Sequence, residues 1–177
     1  PQGYTPVAYI ESTPGGGQYI DTGYSPTANT RIVADFDSLT RSQEWGVFFG
    51  MTGCDNSMTG ILLRYHGNSN DLNAWFCNEH PGATRTSDLA GKRLAVELKD
   101  GSLMVDGTRY PILTRYSPYD GPIFIFCGNS GDKPWRHQAM RLYSFKIYEW
   151  GTPKRDFVPC VEMATNKAGL YDVVEGK

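Results

Sequence analysis

The feature that most constrains this chain is alternation of period two. Between residues 30 and 37, Ile32, Ala34 and Phe36 fall on one side of an extended backbone, and Arg31, Val33, Asp35 and Asp37 fall on the other. Residues 93–99 repeat the pattern, with Leu94, Val96 and Leu98 opposite Ala95, Glu97 and Lys99. Successive side chains of a strand point to opposite faces, so both segments predict strands with one buried and one exposed face. Asp100-Gly101 and Asp106-Gly107 follow, and Asp-Gly readily supplies the positive φ angles of tight hairpin turns. Residues 93–110 therefore predict consecutive antiparallel strands.

Further strands are expected at 7–12, 18–22, 44–50, 61–66, 73–78, 122–127 and 141–148. In the last, Tyr143, Phe145 and Ile147 alternate with Leu142, Ser144, Lys146 and Tyr148. Turn clusters separate them at 13–17, 52–57, 67–71 and 128–132, rich in Gly, Asn, Asp and Ser. No stretch carries the apolar stripe of an amphipathic helix. Roughly ten short strands with regular punctuation predict an all-β sandwich or barrel. There is no composition shift and no internal repeat, so residues 1–177 are expected to form one domain.

Charge and cysteine content narrow the function classes. The net charge is −2 and no basic run is present, which argues against a dedicated nucleic-acid binder. No apolar run approaches the roughly 18 residues that span a bilayer, so membrane insertion is not expected. The chain begins at Pro1 without a visible signal peptide, which reads as a domain taken from a larger protein. Cys54, Cys77, Cys127 and Cys160 match no metal-binding spacing. Cys77 and Cys127 end apolar runs and read as buried free thiols, with a Cys54–Cys77 bridge as the alternative.

Three segments carry a family resemblance. They are Tyr9-Ile10-Glu11-Ser12-Thr13 with Gln18 to Tyr24, then Gly91 to Leu98 with Val105-Asp106-Gly107, and finally Arg141 to Tyr148 with Arg155-Asp156-Phe157-Val158-Pro159-Cys160 and Gly169-Leu170-Tyr171-Asp172. Together they resemble the concanavalin-A-like, laminin-G-like domains of bacterial surface and prophage proteins. The resemblance implies a jelly-roll sandwich of two antiparallel sheets, with the quoted residues mostly structural. It implies an extracellular or cell-surface setting, and binding of glycan or protein rather than one set activity.

Glycosidases share that shape, and they need two carboxyl groups about 5 Å or 6.5–9.5 Å apart. The nearest approach is Asp35-Phe36-Asp37, which reads as the solvated side of a half-buried strand. His66, His80 and His137 lie in no nucleophile-elbow motif. The chain is therefore expected not to be an enzyme. Asp55, Asn56, Asp71, Asn129 and Asp132 offer hard oxygen ligands for Ca²⁺, but they form no spaced Asp-x-Asp-x-Asp loop and serve equally well as turn formers.

Aromatic residues make up 13% of the chain, and several sit beside loops with polar neighbours. Indole and phenol rings stack on the C–H faces of sugars, while Asn, Asp, Arg and His exchange hydrogen bonds with hydroxyls. Trp135 with Arg136 and His137 is the first choice, and Trp75 with Asn78 and His80 is expected to complete a groove. Tyr119 is a further candidate. Tyr65, flanked by Arg64 and His66, shares a face with Ile61 and Leu63 and is expected in the core, and Trp45 and Trp150 are read as structural. The expected function is carbohydrate binding as a module of a secreted or surface protein; the alternative is an adhesive protein–protein domain.

Overall fold

The structure is a computed structural model, and it describes residues 2–53, 60–77, 90–112, 114–115 and 121–177, with the backbone alone for 77, 114 and 115. The described residues hold strands and turns, without helix, arranged as two sheets.

The first sheet is built around β4 (Thr30–Ser38), β8 (Lys92–Lys99) and β15 (Met140–Glu149). β9 (Ser102–Val105) and β10 (Thr108–Pro111) extend it on one side. β16 (Thr152–Glu162), β17 (Lys167–Asp172), β1 (Tyr4–Pro6) and β2 (Ile10–Glu11) extend it on the other. The second sheet has β3 (Ile20–Asp21), β5 (Val47–Thr52), β6 (Gly60–Tyr65), β7 (Leu72–Cys77) and β11 (Thr114–Arg115). It is completed by β12 (Phe124–Ile125), β13 (Gly128–Ser130) and β14 (Pro134–Trp135).

The period-two segments behave as their sequence dictates. β4 alternates strictly between buried and half-buried, and Leu94, Val96 and Leu98 turn the same way from β8. The hairpin at 93–110 is present, and Asp106 and Gly107 take φ angles of 49° and 80°. Both values are positive, as a tight turn matching the right-handed strand twist requires.

The inner face of the first sheet meets Phe49, Met51, Ile61, Leu63, Tyr65, Leu72, Ala74 and Phe76 from the second. Aromatic pairs lock the two layers: Phe36 lies 4.9 Å from Phe48, and Phe49 lies 5.1 Å from Phe145. The molecule is thus an all-β sandwich with one continuous apolar layer between its sheets. Each fully buried Phe or Leu stabilises it by about 1.5–3 kcal/mol. Cys127 and Cys160 are free and buried, and burial pushes the Cys127 thiol up to about 12.

Four expectations need correcting. In β15 the alternation does not run unbroken, because the register against β4 slips between Leu142 and Ser144. Tyr143 is the extra residue of this bulge, so Leu142 joins Phe145 and Ile147 inside while Tyr143 stays half-exposed. One inserted residue reverses the phase of every side chain beyond it.

The single strand expected at 122–127 is also broken. Phe124 and Ile125 pair antiparallel with β5, whereas Asn129 and Ser130 pair parallel with it. The chain reverses between them through Phe126, whose φ is 72°. Residues 123–127 are all buried, so no polar alternation marked the break. This pairing, with the parallel contact of β11 and β7, makes the second sheet mixed rather than purely antiparallel. Finally, Trp150 is not structural in the expected sense, since 78% of it is exposed.

The closing motif is an architectural knot. Arg155 donates from Nε to the Thr22 carbonyl and from Nη2 to the Gly23 carbonyl, each at 3.0 Å. Its Nε also lies 3.4 Å from the buried Asp172 carboxylate, as an ion pair without hydrogen-bond alignment. Asp172 Oδ1 accepts the backbone N–H groups of Asp156 and Val174, both at 3.0 Å.

Candidate functional site

Because Ile61, Leu63 and Tyr65 face the core, the residues between them, Leu62 and Arg64, face away from it. On β7 the same logic turns Asn73 and Trp75 outward from the sandwich interior. Strand register sets Arg64 opposite Asn73 and Leu62 opposite Trp75, and Val47 of β5 lies beside Arg64. Val47, Leu62 and Trp75 form a second apolar cluster, and Trp135 packs against it. Trp135 sits opposite Gly128 across the β13–β14 pair; a Cβ at Gly128 would come within 3.3 Å of the ring.

Arg64 is the unusual member of this surface. It is 5% exposed, and its Cζ lies 4.1 Å from the Trp45 ring centroid and 4.3 Å from that of Trp75. A guanidinium over indole faces gains from the ring quadrupole, more so when desolvated. Its Nε donates to Asn73 Oδ1 at 3.0 Å. Burial, reinforced by the nearby positive charge of Arg136, pulls the Arg64 guanidinium down to about 9.

Arg136 is half-buried, with its Cζ 4.8 Å from the Trp135 ring and its Nη1 donating to the Glu44 carbonyl at 2.8 Å. Its Nε, the Nδ2 of Asn73 and the Nε2 of His137 are buried without a hydrogen-bond partner among the described residues. Buried polar groups are nearly always paired, so three such atoms in one region mark it out.

The sequence-chosen residues therefore divide. Trp75, Trp135 and Arg136 come together around the second cluster. His137 is brought alongside through its backbone, which bridges to Val47 and accepts the Gln43 side-chain amide at 2.8 Å. Asn78, His80 and Tyr119 lie outside the described residues. Tyr65 is in the core as expected, and Arg64 points the other way. Trp45 and Asn73 were not picked out by the sequence. Asn73 carried a signal, a polar residue at the outward position next to Trp75; Trp45 carried none, because its ring reaches Arg64 from outside any strand.

A second constellation lies at one end of the first sheet. Antiparallel order brings the start of β4, the end of β8 and the end of β15 to the same edge. Their turns enclose an open groove of about 350 Å³ lined by Ala28, Asn29, Arg31, Lys99, Asp100 and Trp150. Trp150 occupies the β15–β16 turn with φ 51°, followed by Gly151 at φ 78°. A bulky side chain in that conformation is disfavoured by about 1 kcal/mol or more. Its ring stacks on no other described side chain. Asn29 and Asp100 are exposed, and neither side chain hydrogen-bonds to another described residue. Arg31 is held in place by Glu97 at 3.0 Å and by the Tyr148 ring at 4.2 Å.

Other sequence candidates have structural occupations. Asp35 takes two hydrogen bonds from Arg93, both 2.8 Å, and Asp37 accepts from the Tyr143 hydroxyl at 2.7 Å. Of the Ca²⁺ candidates, Asn129 donates to the Pro122 carbonyl at 2.8 Å, and Asp132 occupies a turn at φ 59°. Asp71 lies in the turn that brings the His66 N–H to its carbonyl, and Asp55 and Asn56 lie outside the described residues. Among the described residues, no three His, Cys, Asp or Glu side chains cluster to hold a metal ion. No protein-family model matches the chain, and no curated protein sequence matches it.

Proposed function

We propose that this chain is a non-catalytic carbohydrate-binding module of concanavalin-A-like jelly-roll type, carried by a secreted or surface protein, and that Trp150 is its stacking platform. The observation that carries the reading is an indole 78% exposed in a turn position that its bulk disfavours, beside a polar groove. Folding gains nothing from such a residue, and a pyranose ring gains a flat apolar face to lie on. Asn29 and Asp100 supply free hydrogen-bonding groups for hydroxyls, and Arg31 supplies a prearranged donor. Trp135 remains a candidate contact, but it packs against Val47, Leu62 and Trp75 and has a guanidinium near its ring, so it offers less free area. A binding role also suits Asp35 and Asp37, each engaged by a neighbouring side chain.

A glycan array of plant, bacterial and animal polysaccharides probes the reading, followed by calorimetry on the best binder. Truncating a hot-spot aromatic typically costs 2 kcal/mol or more, about thirtyfold in affinity. Trp150→Asn, which tolerates positive φ, should show that loss while the protein melts no lower than the parent. Full affinity in the folded variant would remove Trp150 from the site. An array without binders, alongside capture of a defined surface protein, would replace the glycan reading with the adhesive one.

A further inference from the structure

We propose that the Arg64–Arg136 pair on the outer face of the second sheet binds the carboxylate of an acidic sugar, a uronate, at a site separate from the Trp150 groove. The carboxylate follows from charge and geometry at this site, whereas the choice of a sugar as its carrier rests on the glycan reading.

Arg64 is a cation only 5% exposed, and no carboxylate among the described residues pairs with it. Removing a charge from water without a counter-ion is costly, and two aromatic faces recover only part of that cost. The positive charge of Arg136 is felt at Arg64 and compounds the penalty. A guanidinium carries five N–H donors, and here one of them is bonded, to Asn73. The Trp45 and Trp75 rings both lie close to the group, with centroids 4.1 Å and 4.3 Å from its Cζ. The other donors of Arg64 carry no hydrogen bond to a described residue, and a carboxylate lying in the guanidinium plane makes two parallel hydrogen bonds to such a group.

The surroundings fit the rest of a sugar. Asn73 Nδ2 and Arg136 Nε are buried donors without partners among the described residues, a chemistry suited to ring or hydroxyl oxygens. Trp45 and Trp135 are half-buried and leave ring surface exposed beside them. Glu44 approaches through its backbone carbonyl on Arg136 and its carboxylate on the Trp45 indole N–H at 3.1 Å, so it does not occupy the anion position.

Titration calorimetry of this chain with sodium glucuronate, glucose, sodium acetate and N-acetyl-L-glutamate, at matched ionic strength, tests the proposal. Glucuronate should bind at least about tenfold more tightly than glucose, the worth of one charged hydrogen-bonded contact, with acetate binding weakly but measurably. Arg136→Gln, at a half-exposed position, should lower glucuronate affinity by about tenfold and leave binding at the Trp150 groove unchanged. Arg64→Gln should lower it further; if that variant does not fold, Arg136→Gln decides. Equal affinity for glucose and glucuronate, or glucuronate binding indifferent to Arg136→Gln, would overturn the carboxylate site. N-acetyl-L-glutamate binding as tightly as glucuronate would overturn the sugar as carrier. Loss of array binding in Trp150→Asn with glucuronate binding intact would support two separate sites; loss of glucuronate binding in that variant would overturn this one.

Discussion

The two outer faces of the sandwich handle charge in opposite ways. On the first sheet β4, β8, β15 and β16 carry charges set beside partners of opposite sign. Arg93 grips Asp35, Lys99 and Arg31 share Glu97, Lys146 meets Asp156 at 3.0 Å, and Lys154 meets Glu149 at 3.6 Å. Burial pushes the Glu97 carboxyl upward, but Lys99 and Arg31 outweigh it and hold the group below its ordinary range. On the second sheet two guanidiniums sit among indoles, and among the described residues neither has a carboxylate partner. The first arrangement keeps a face wet and soluble. The second buries a cation without a carboxylate counter-ion among the described residues, the position that the proposed uronate would fill.

That comparison can be broken or sharpened by removing charges of each kind. The largest effect is expected where a paired charge is buried. Asp172→Ala takes the buried one of two carboxylate partners from Arg155, the other being Glu175, and leaves two backbone N–H groups unbonded, so urea unfolding should show a loss of about 3 kcal/mol or more. A loss no larger than that of a surface substitution would mean that the closing knot is ornamental.

A smaller and differently signed effect is expected at Arg64. Replacing a buried, uncompensated cation by an apolar side chain of similar length is often neutral or stabilising, so Arg64→Met should unfold within about 1 kcal/mol of the parent or be more stable. The pH dependence gives the sign independently. The folded-state value of about 9 lies below the ordinary guanidinium range, so above it the unfolded chain holds a proton that the folded chain has released. Stability conferred by this group therefore rises with pH beyond about 9, and the penalty is fully present below it. Unfolding at pH 7.5, 9 and 10 should show the parent gaining on Arg64→Met as pH increases. A pH-independent difference would mean that Arg64 stays charged and compensated.

The smallest effect belongs to the first sheet's surface. Arg93 is exposed, its Cζ lies 3.7 Å from the Tyr143 ring, and its pair with Asp35 is open to solvent. Exposed ion pairs contribute little and are screened by salt. Arg93→Ala should melt with the parent at physiological ionic strength. A clear loss would mean that the cross-strand network acts as a unit and that the two faces differ less than their geometry indicates.

Much of the sandwich was legible beforehand. Thr30–Ser38 and Lys92–Lys99 announce their buried faces through local alternation, and Asp106-Gly107 announces its turn, because both signals act within a few residues. Cys127 was likewise readable as a buried thiol from the apolar run that it ends. The candidate sites were legible only in part. Trp135 and Arg136 stood out as an aromatic beside polar groups, but nothing local indicated that Trp45 would reach across to Arg64, since residues from different strands and loops meet there.

The sequence by itself determined which segments extend, which of their side chains share a face, and where tight turns close. Only the tertiary structure decided the bulge at Tyr143, the chain reversal at Phe126 and the mixed pairing of the second sheet, because a shift of one residue in register leaves composition and local pattern unchanged. It also decided which indoles are covered. Trp75 lies within a strand-like stretch and Trp150 just after one, yet the first is 2% exposed and the second 78%. Trp75 gains its cover from Leu62, Val47 and Arg64, delivered by neighbouring strands, whereas Trp150 stands in a turn at the sheet's end. Burial is a property of what packs against a residue, and those neighbours lie too far along the chain for local pattern to record them.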